Sequence, residues 1–141
     1  MPVGIKIGVV FKEIEPPGLL NAMFSTIGHC LESDGWGRRF PCLLNHFYQG
    51  PLQAHQVDQA IDELVLAKAE FEQLPPTDII WDIEQLSELP PWGEHAPKRY
   101  TNLAKCFVTD GNEDLFDVIE DQFQRAIEEN NDVLITFINA F

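Results

Sequence analysis

The chain has 141 residues, 45% of them hydrophobic, which is enough for one domain with a single substantial core and argues against disorder. Its 23 Asp and Glu residues against 9 Lys and Arg residues give a formal net charge of −14. A field of this sign repels phosphate backbones, so nucleic-acid binding is disfavoured, and it attracts basic partners. Solubility alone would also account for such a charge.

The sequence shows no sign of a membrane or secreted protein. No apolar run approaches the roughly 18–20 residues of a membrane span, and the N-terminus lacks a basic stretch followed by an apolar one. We therefore expect a cytoplasmic protein. The cysteines have no close pairing motif, so in a reducing compartment they are expected to be buried thiols. They are Cys30, Cys42 and Cys106.

Hydrophobic periodicity predicts both strands and helices. Apolar residues alternate with a period of two along 3–12, which predicts a strand with one strongly apolar face. A stripe at spacings of three and four predicts the clearest helix over 54–74, and a pair of prolines ends it. Residues 41–49 predict a short helix, with a strand as the alternative.

Together these patterns predict one α+β domain over 1–141, in which a small β-sheet packs against several amphipathic helices. The predicted strands are 3–12, 78–82 and 132–139, the last of them apolar and largely buried. The predicted helices are 18–33, 41–49, 54–74, 100–107 and 112–130. The order of the strands stays open.

The motifs of metal sites are incomplete. Residues 110–121 match the first ligand positions of a calcium loop, but Leu115 stands where glycine belongs and Asp121 where glutamate belongs. Cys42 and His46 are four residues apart and would share one face of a helix. No second pair has a matching spacing, and zinc needs three or four ligands. We therefore predict no metal and no cofactor.

Catalytic motifs are also missing. The sequence has no G-x-S-x-G elbow and no glycine-rich phosphate loop. Carboxylate pairs are abundant, but in so acidic a chain their abundance carries little information about acid–base chemistry. The expected protein is not an enzyme. A small carboxylate- or metal-dependent hydrolase is one alternative, and a subunit of a larger assembly is another.

The stretch from Trp81 to Gly93 reads WDIEQLSELPPWG and combines tryptophans, carboxylates and a pair of prolines. As a rigid brace, it would bury Trp81 in the core between sheet and helices, and this is the interpretation we favour for Trp81. As a binding edge, it would present Trp92 as an anchor ringed by acids. For Trp92 both interpretations stay open. The candidate partner-binding residues are Asp82, Glu84, Glu88, Pro91, Trp92 and Glu94.

Several blocks of the chain together resemble the immunity protein 70 family of bacterial polymorphic toxin systems. They are VGIKIGVVF, WGRRFPCLLNHFYQG, WDIEQLSELPPWG and LAKCFVTDGNEDLF. The most specific piece is the pairing of WDIE with PPWG. The resemblance spans nearly the whole chain and brings no catalytic residues with it.

The resemblance implies a protein that binds and neutralises one cognate toxin. Many toxin domains attack nucleic acid and present basic clefts, which a protein of this charge could enter as an electrostatic mimic. The implied partner is therefore a toxin domain, expected to be basic, with no nucleic acid and no membrane involved. The oligomeric state stays open.

Overall fold

The structure is a computed structural model that describes residues 3–16, 18–93 and 95–137. Within these residues, three strands form an antiparallel sheet. The strands are β1 (Val3–Ile7), β2 (Val10–Glu13) and β3 (Val133–Phe137). Their order is β2-β1-β3, so β1 lies in the middle and pairs with both neighbours. A small sheet covered by helices confirms the predicted α+β class.

The stretch 3–12, predicted as one strand, is a hairpin. Ile7 lies opposite Val10, so Gly8 and Val9 form a two-residue turn. Gly8 adopts a φ of 59°, the left-handed region that such turns favour for glycine. The apolar alternation continues through the turn, although Val9 is 98% exposed, and periodicity therefore concealed the reversal.

Helices pack against the sheet and against one another. They are α1 (Gly18–Thr26), α2 (Val57–Phe71), α3 (Leu115–Glu129), a first π-helix (Ile27–Leu31) that continues α1, and a second π-helix (Cys42–Tyr48). Short 3₁₀ turns lie at Ala54–Gln56, Pro76–Asp78 and Leu103–Cys106. The helices predicted at 18–33, 41–49, 54–74 and 112–130 are confirmed. The one predicted over 100–107 is reduced to a 3₁₀ turn.

The hydrophobic core lies between the sheet and the helices, and phenylalanine rings occupy its centre. The Phe47 ring of the second π-helix meets Phe24 of α1 and Phe123 of α3 edge-on, with centroids 5.5 and 4.9 Å apart. Such pairs stabilise a core beyond the apolar area that they bury. A second group of buried rings joins α2 to the start of α3. Its members are Phe71, Phe107 and Phe116.

The strand predicted over 78–82 is wrong. Residues Pro76–Asp78 form a 3₁₀ turn, and residues 79–93 continue as irregular chain along α1. We call residues 79–93 the strap. Ile79 and Trp81 pack against the core, so the apolar run that suggested a strand reflects packing on a helix.

The last strand is less buried than predicted. Val133 is buried, but Leu134 on the other face is 38% exposed. The sheet therefore turns one face to the core and the other to solvent, as is common in antiparallel sheets. The end of the predicted range, 138–139, lies outside the described residues.

Candidate protein-binding surface

The strap is held on α1 by side chains that take the place of a neighbouring strand. The Thr26 hydroxyl accepts a hydrogen bond from the Ile80 N–H at 3.1 Å, and the Ser25 hydroxyl accepts one from the Ile83 N–H at 3.1 Å. Ser25 and Thr26 are both buried. Because buried backbone groups need partners, these bonds let irregular chain lie against the core.

An aromatic cluster fixes the far end of the strap. The Trp92 ring stands edge-on to Trp81, with centroids 6.3 Å apart, and edge-on to Tyr100 at 5.2 Å. Pro90 is buried beside it, whereas Trp81 and Trp92 are half-buried. Trp81 is therefore not buried between sheet and helices as predicted; its ring is half-buried and packs on α1 against the core. Trp92 is a brace that keeps part of its ring in solvent.

Within the described part of the chain, the carboxylates of the strap have no cationic partners. Among the residues that the structure describes, no Lys, Arg or His forms an ion pair with Asp82, Glu84 or Glu88. Asp82 accepts a hydrogen bond from the Glu84 N–H at 3.0 Å, which fixes the start of a turn. Glu84, Glu88 and Pro91 are exposed. Glu94 lies outside the described residues.

Asp82 and Glu84 border a recess between the strap, α1 and the end of the second π-helix. We call it the aromatic recess, and its volume is about 260 Å³. Its lining residues are Asn21, Trp36, Tyr48, Gln49, Asp82, Ile83 and Glu84. The sequence did not connect Asn21, Trp36 or Tyr48 with the strap, since they lie on separate elements that only the fold brings to it.

Aromatic rings and one short hydrogen bond shape this recess. The Trp36 and Tyr48 rings have centroids 6.1 Å apart, and the Tyr48 hydroxyl donates to the Asn21 side-chain oxygen at 2.5 Å. Burial raises the pKa of Tyr48, and the negative charges of Asp82 and Glu84 raise it further. The Trp36 indole Nε1 is buried and has no hydrogen-bond partner among the described residues.

Glu88 and Trp92 border a second depression, which is lined mostly by apolar residue types and has a volume of about 340 Å³. We call it the apolar groove. Leu86 and Leu89 line it and are 59% and 52% exposed. The fold divides four of the six candidate residues between the two depressions. Asp82 and Glu84 lie at the aromatic recess, and Glu88 and Trp92 lie at the apolar groove.

Glu32 and Glu63, unlike the exposed acids of the strap, are buried, and their carboxylates serve the fold. Glu32 accepts hydrogen bonds from the backbone N–H groups of residues 39–40 at 2.7 and 3.1 Å. Glu63 accepts them from those of residues 42–43 at 3.3 and 3.1 Å. They satisfy donors at the start of the second π-helix that have no other helical partner. The number of acidic residues in the sequence could not distinguish these buried acids from the exposed acids of the strap.

The thiols are poor candidates for nucleophiles. Burial raises the pKa of each to about 11, with further contributions from Asp78 at Cys30 and from Glu63 at Cys42. With a pKa near 11, all three thiols are protonated at neutral pH. They therefore lack the thiolate form, which is the nucleophile. No three His, Cys, Asp or Glu side chains come together to hold a metal within the described part of the chain. No helix there is long and apolar enough to cross a membrane.

The chain is a small α+β domain in which acidic and apolar side chains lie side by side on the strap. The family model for Immunity protein 70 matches residues 5–135. The chain therefore belongs to the Immunity protein 70 family, and this assignment supports a role as an immunity protein. Comparison with curated proteins and with solved structures gives no match.

Proposed function

We propose that this protein binds a cognate bacterial toxin in a stoichiometric complex and thereby neutralises it. The observation that carries the proposal is a family match over 5–135, together with a braced strap whose carboxylates have no cationic partner in the described chain. The proposed binding residues are Asp82, Glu84, Glu88, Pro91, Trp92 and Glu94.

Charge supports this choice of surface. A chain with a net charge of −14 attracts basic proteins over long range, and such steering raises association rates. Carboxylates that already form internal ion pairs would lose them on binding. Asp82, Glu84 and Glu88 have no such pairs to lose within the described chain, so a basic partner gains their full attraction.

The apolar side chains of the strap support it as well. Protein interfaces commonly have an apolar centre and a polar rim. Leu86 and Leu89 are large, exposed and adjacent to Trp92, and Glu88 borders the same groove. This arrangement would bury the leucines at the centre of a complex and leave the carboxylate at its edge.

Calorimetry against the toxin domain encoded beside the gene tests the proposal. We expect a one-to-one complex that weakens as salt rises, because salt screens attraction between unlike charges over about 10 Å at 0.1 M. The fraction of toxin activity that is lost should equal the fraction of toxin that is bound. An absence of binding at both low and high salt would refute the proposed function, and binding that is indifferent to salt would remove its electrostatic part.

A further inference from the structure

We propose that the aromatic recess receives an arginine side chain of the bound toxin. This inference rests on the proposed function and adds the chemistry of one contact to it. The guanidinium would lie against the rings of Trp36 and Tyr48 and form ion pairs with Asp82 and Glu84 at the edge of the recess.

The lining of the recess matches a guanidinium. Arginine stacks on aromatic faces, and its planar fork of donors pairs with carboxylates. Trp36 and Tyr48 supply the rings, and Asp82 and Glu84 supply the carboxylates on the adjacent strap. Asn21 and Gln49 add uncharged oxygen acceptors. No basic side chain of the described residues lines the recess, so a cation meets no repulsion there.

The recess is formed before any partner arrives. The Trp36 ring packs so closely over Gly28 that a Cβ atom at that residue would lie 2.5 Å from the ring. The hydrogen bond to Asn21 fixes the Tyr48 hydroxyl. A rigid site loses little conformational freedom on binding, which favours affinity.

A rare backbone geometry and a buried hydrogen-bond donor without a partner among the described residues both lie at the aromatic recess. Tyr48 is the last residue of the second π-helix, and π-helical turns are rare and frequently lie at functional sites. The buried Trp36 Nε1 has no acceptor among the described residues, and a buried unsatisfied donor is costly enough to need an explanation.

The test is calorimetry with the cognate toxin domain on the Asp82→Asn/Glu84→Gln variant. An asparagine in place of Asp82 keeps the oxygen that accepts the backbone N–H of residue 84, so the turn is preserved while both charges are removed. We expect affinity to fall at least about tenfold, because close pairs of opposite charge across an interface are coupled by at least this much. The matched control is Asp62→Asn/Glu128→Gln, which removes the same charges from exposed positions on α2 and α3. It should change affinity by less than about threefold, since remote surface charges contribute little.

The outcomes separate this inference from the proposed function. If the wild-type protein binds the toxin and both double variants bind equally well, the recess inference is overturned and the function stands. If the wild-type protein does not bind, both are overturned. If the recess variant fails to fold, the single variant Glu84→Gln decides, because Glu84 is exposed and its side chain makes no hydrogen bond within the described chain.

Discussion

At the scale of single residues, acidic side chains in this protein have two different roles. Glu32 and Glu63 are buried and accept backbone hydrogen bonds, whereas Glu84 and Glu88 are exposed and form no ion pair within the described chain. Burial and hydrogen-bond partners distinguish the two groups, and the net charge does not. Mutations should therefore separate stability from binding.

Replacing Glu63 with alanine should destabilise the fold. The change leaves two N–H groups at the start of the second π-helix without their acceptor, which we expect to cost about 2–4 kcal/mol. Urea unfolding measures this loss. Asp62→Asn, one residue away and exposed, is the control and should change stability by less than about 0.5 kcal/mol. Equal stability of Glu63→Ala and the wild type would contradict the assigned role.

The cysteines give a prediction about pH. Burial raises the pKa of each thiol from 9.0 to about 11, so the folded protein keeps protons that the unfolded chain releases. The free energy of unfolding should therefore fall as pH rises above about 9, and this contribution should level off above about 11. Urea midpoints between pH 7 and 11 measure it. A Cys30→Ala/Cys42→Ala/Cys106→Ala variant should show a smaller decline; an equal decline would assign the effect to other groups.

The sequence identified part of the candidate site at this scale. The strap residues were predicted because tryptophans, prolines and acids occur there within one short stretch. Trp36, Tyr48 and Asn21 escaped prediction because they reach Asp82 only through the packing of α1 and the second π-helix. Local spacing carries no information about such contacts.

At the scale of elements, the strap shows how an apolar run can mislead. Residues 78–82 have the composition of a buried strand, but the Ile80 N–H bonds to a side chain of α1 and so does that of Ile83 just beyond.

Strong helices were predicted correctly because an amphipathic stripe is a local property. Side chains and backbone at its ends fix the bounds of α3: Asp114 accepts the Phe116 N–H at 2.8 Å at the start, and Asn130 ends the helix at a φ of 54°. The π-helical geometry was not predictable, since segments of 5 and 7 residues are too short for their period to be distinguished from that of an α-helix.

Thr26→Val should loosen the strap without disturbing the core. Valine matches the shape of threonine but lacks the hydroxyl that accepts the Ile80 N–H. We expect a cost of about 1–3 kcal/mol for a buried donor left unpaired. Hydrogen exchange should become faster at strap amides and stay slow in β1. Unchanged exchange at Ile80 would contradict the view that α1 side chains hold the strap in place.

At the scale of the whole molecule, most of the negative charge is uncompensated. The ion pairs of the described residues engage Glu70, Glu113, Asp114, Asp117 and Glu129, out of 23 acidic residues in the chain. Such a surface repels itself, and the repulsion opposes the compact state. The same charge favours a basic partner.

Salt should therefore act on the free protein and on its complex in opposite directions. Screening relieves self-repulsion, so the melting temperature of the free protein should rise between low salt and about 0.15 M, where the Debye length is about 8 Å. The toxin complex should weaken over the same range. Thermal melts and calorimetry in sodium chloride measure the two effects. A melting temperature that falls with salt would mean that ion pairs outweigh repulsion.

The central claim is neutralisation of a toxin, and a titration of toxin activity tests it most directly. The toxin domain encoded beside the gene is held at a fixed concentration while this protein is added in steps. We predict that activity falls linearly and disappears at one molar equivalent, as tight one-to-one binding requires. Full toxin activity at every excess of the protein would contradict the account.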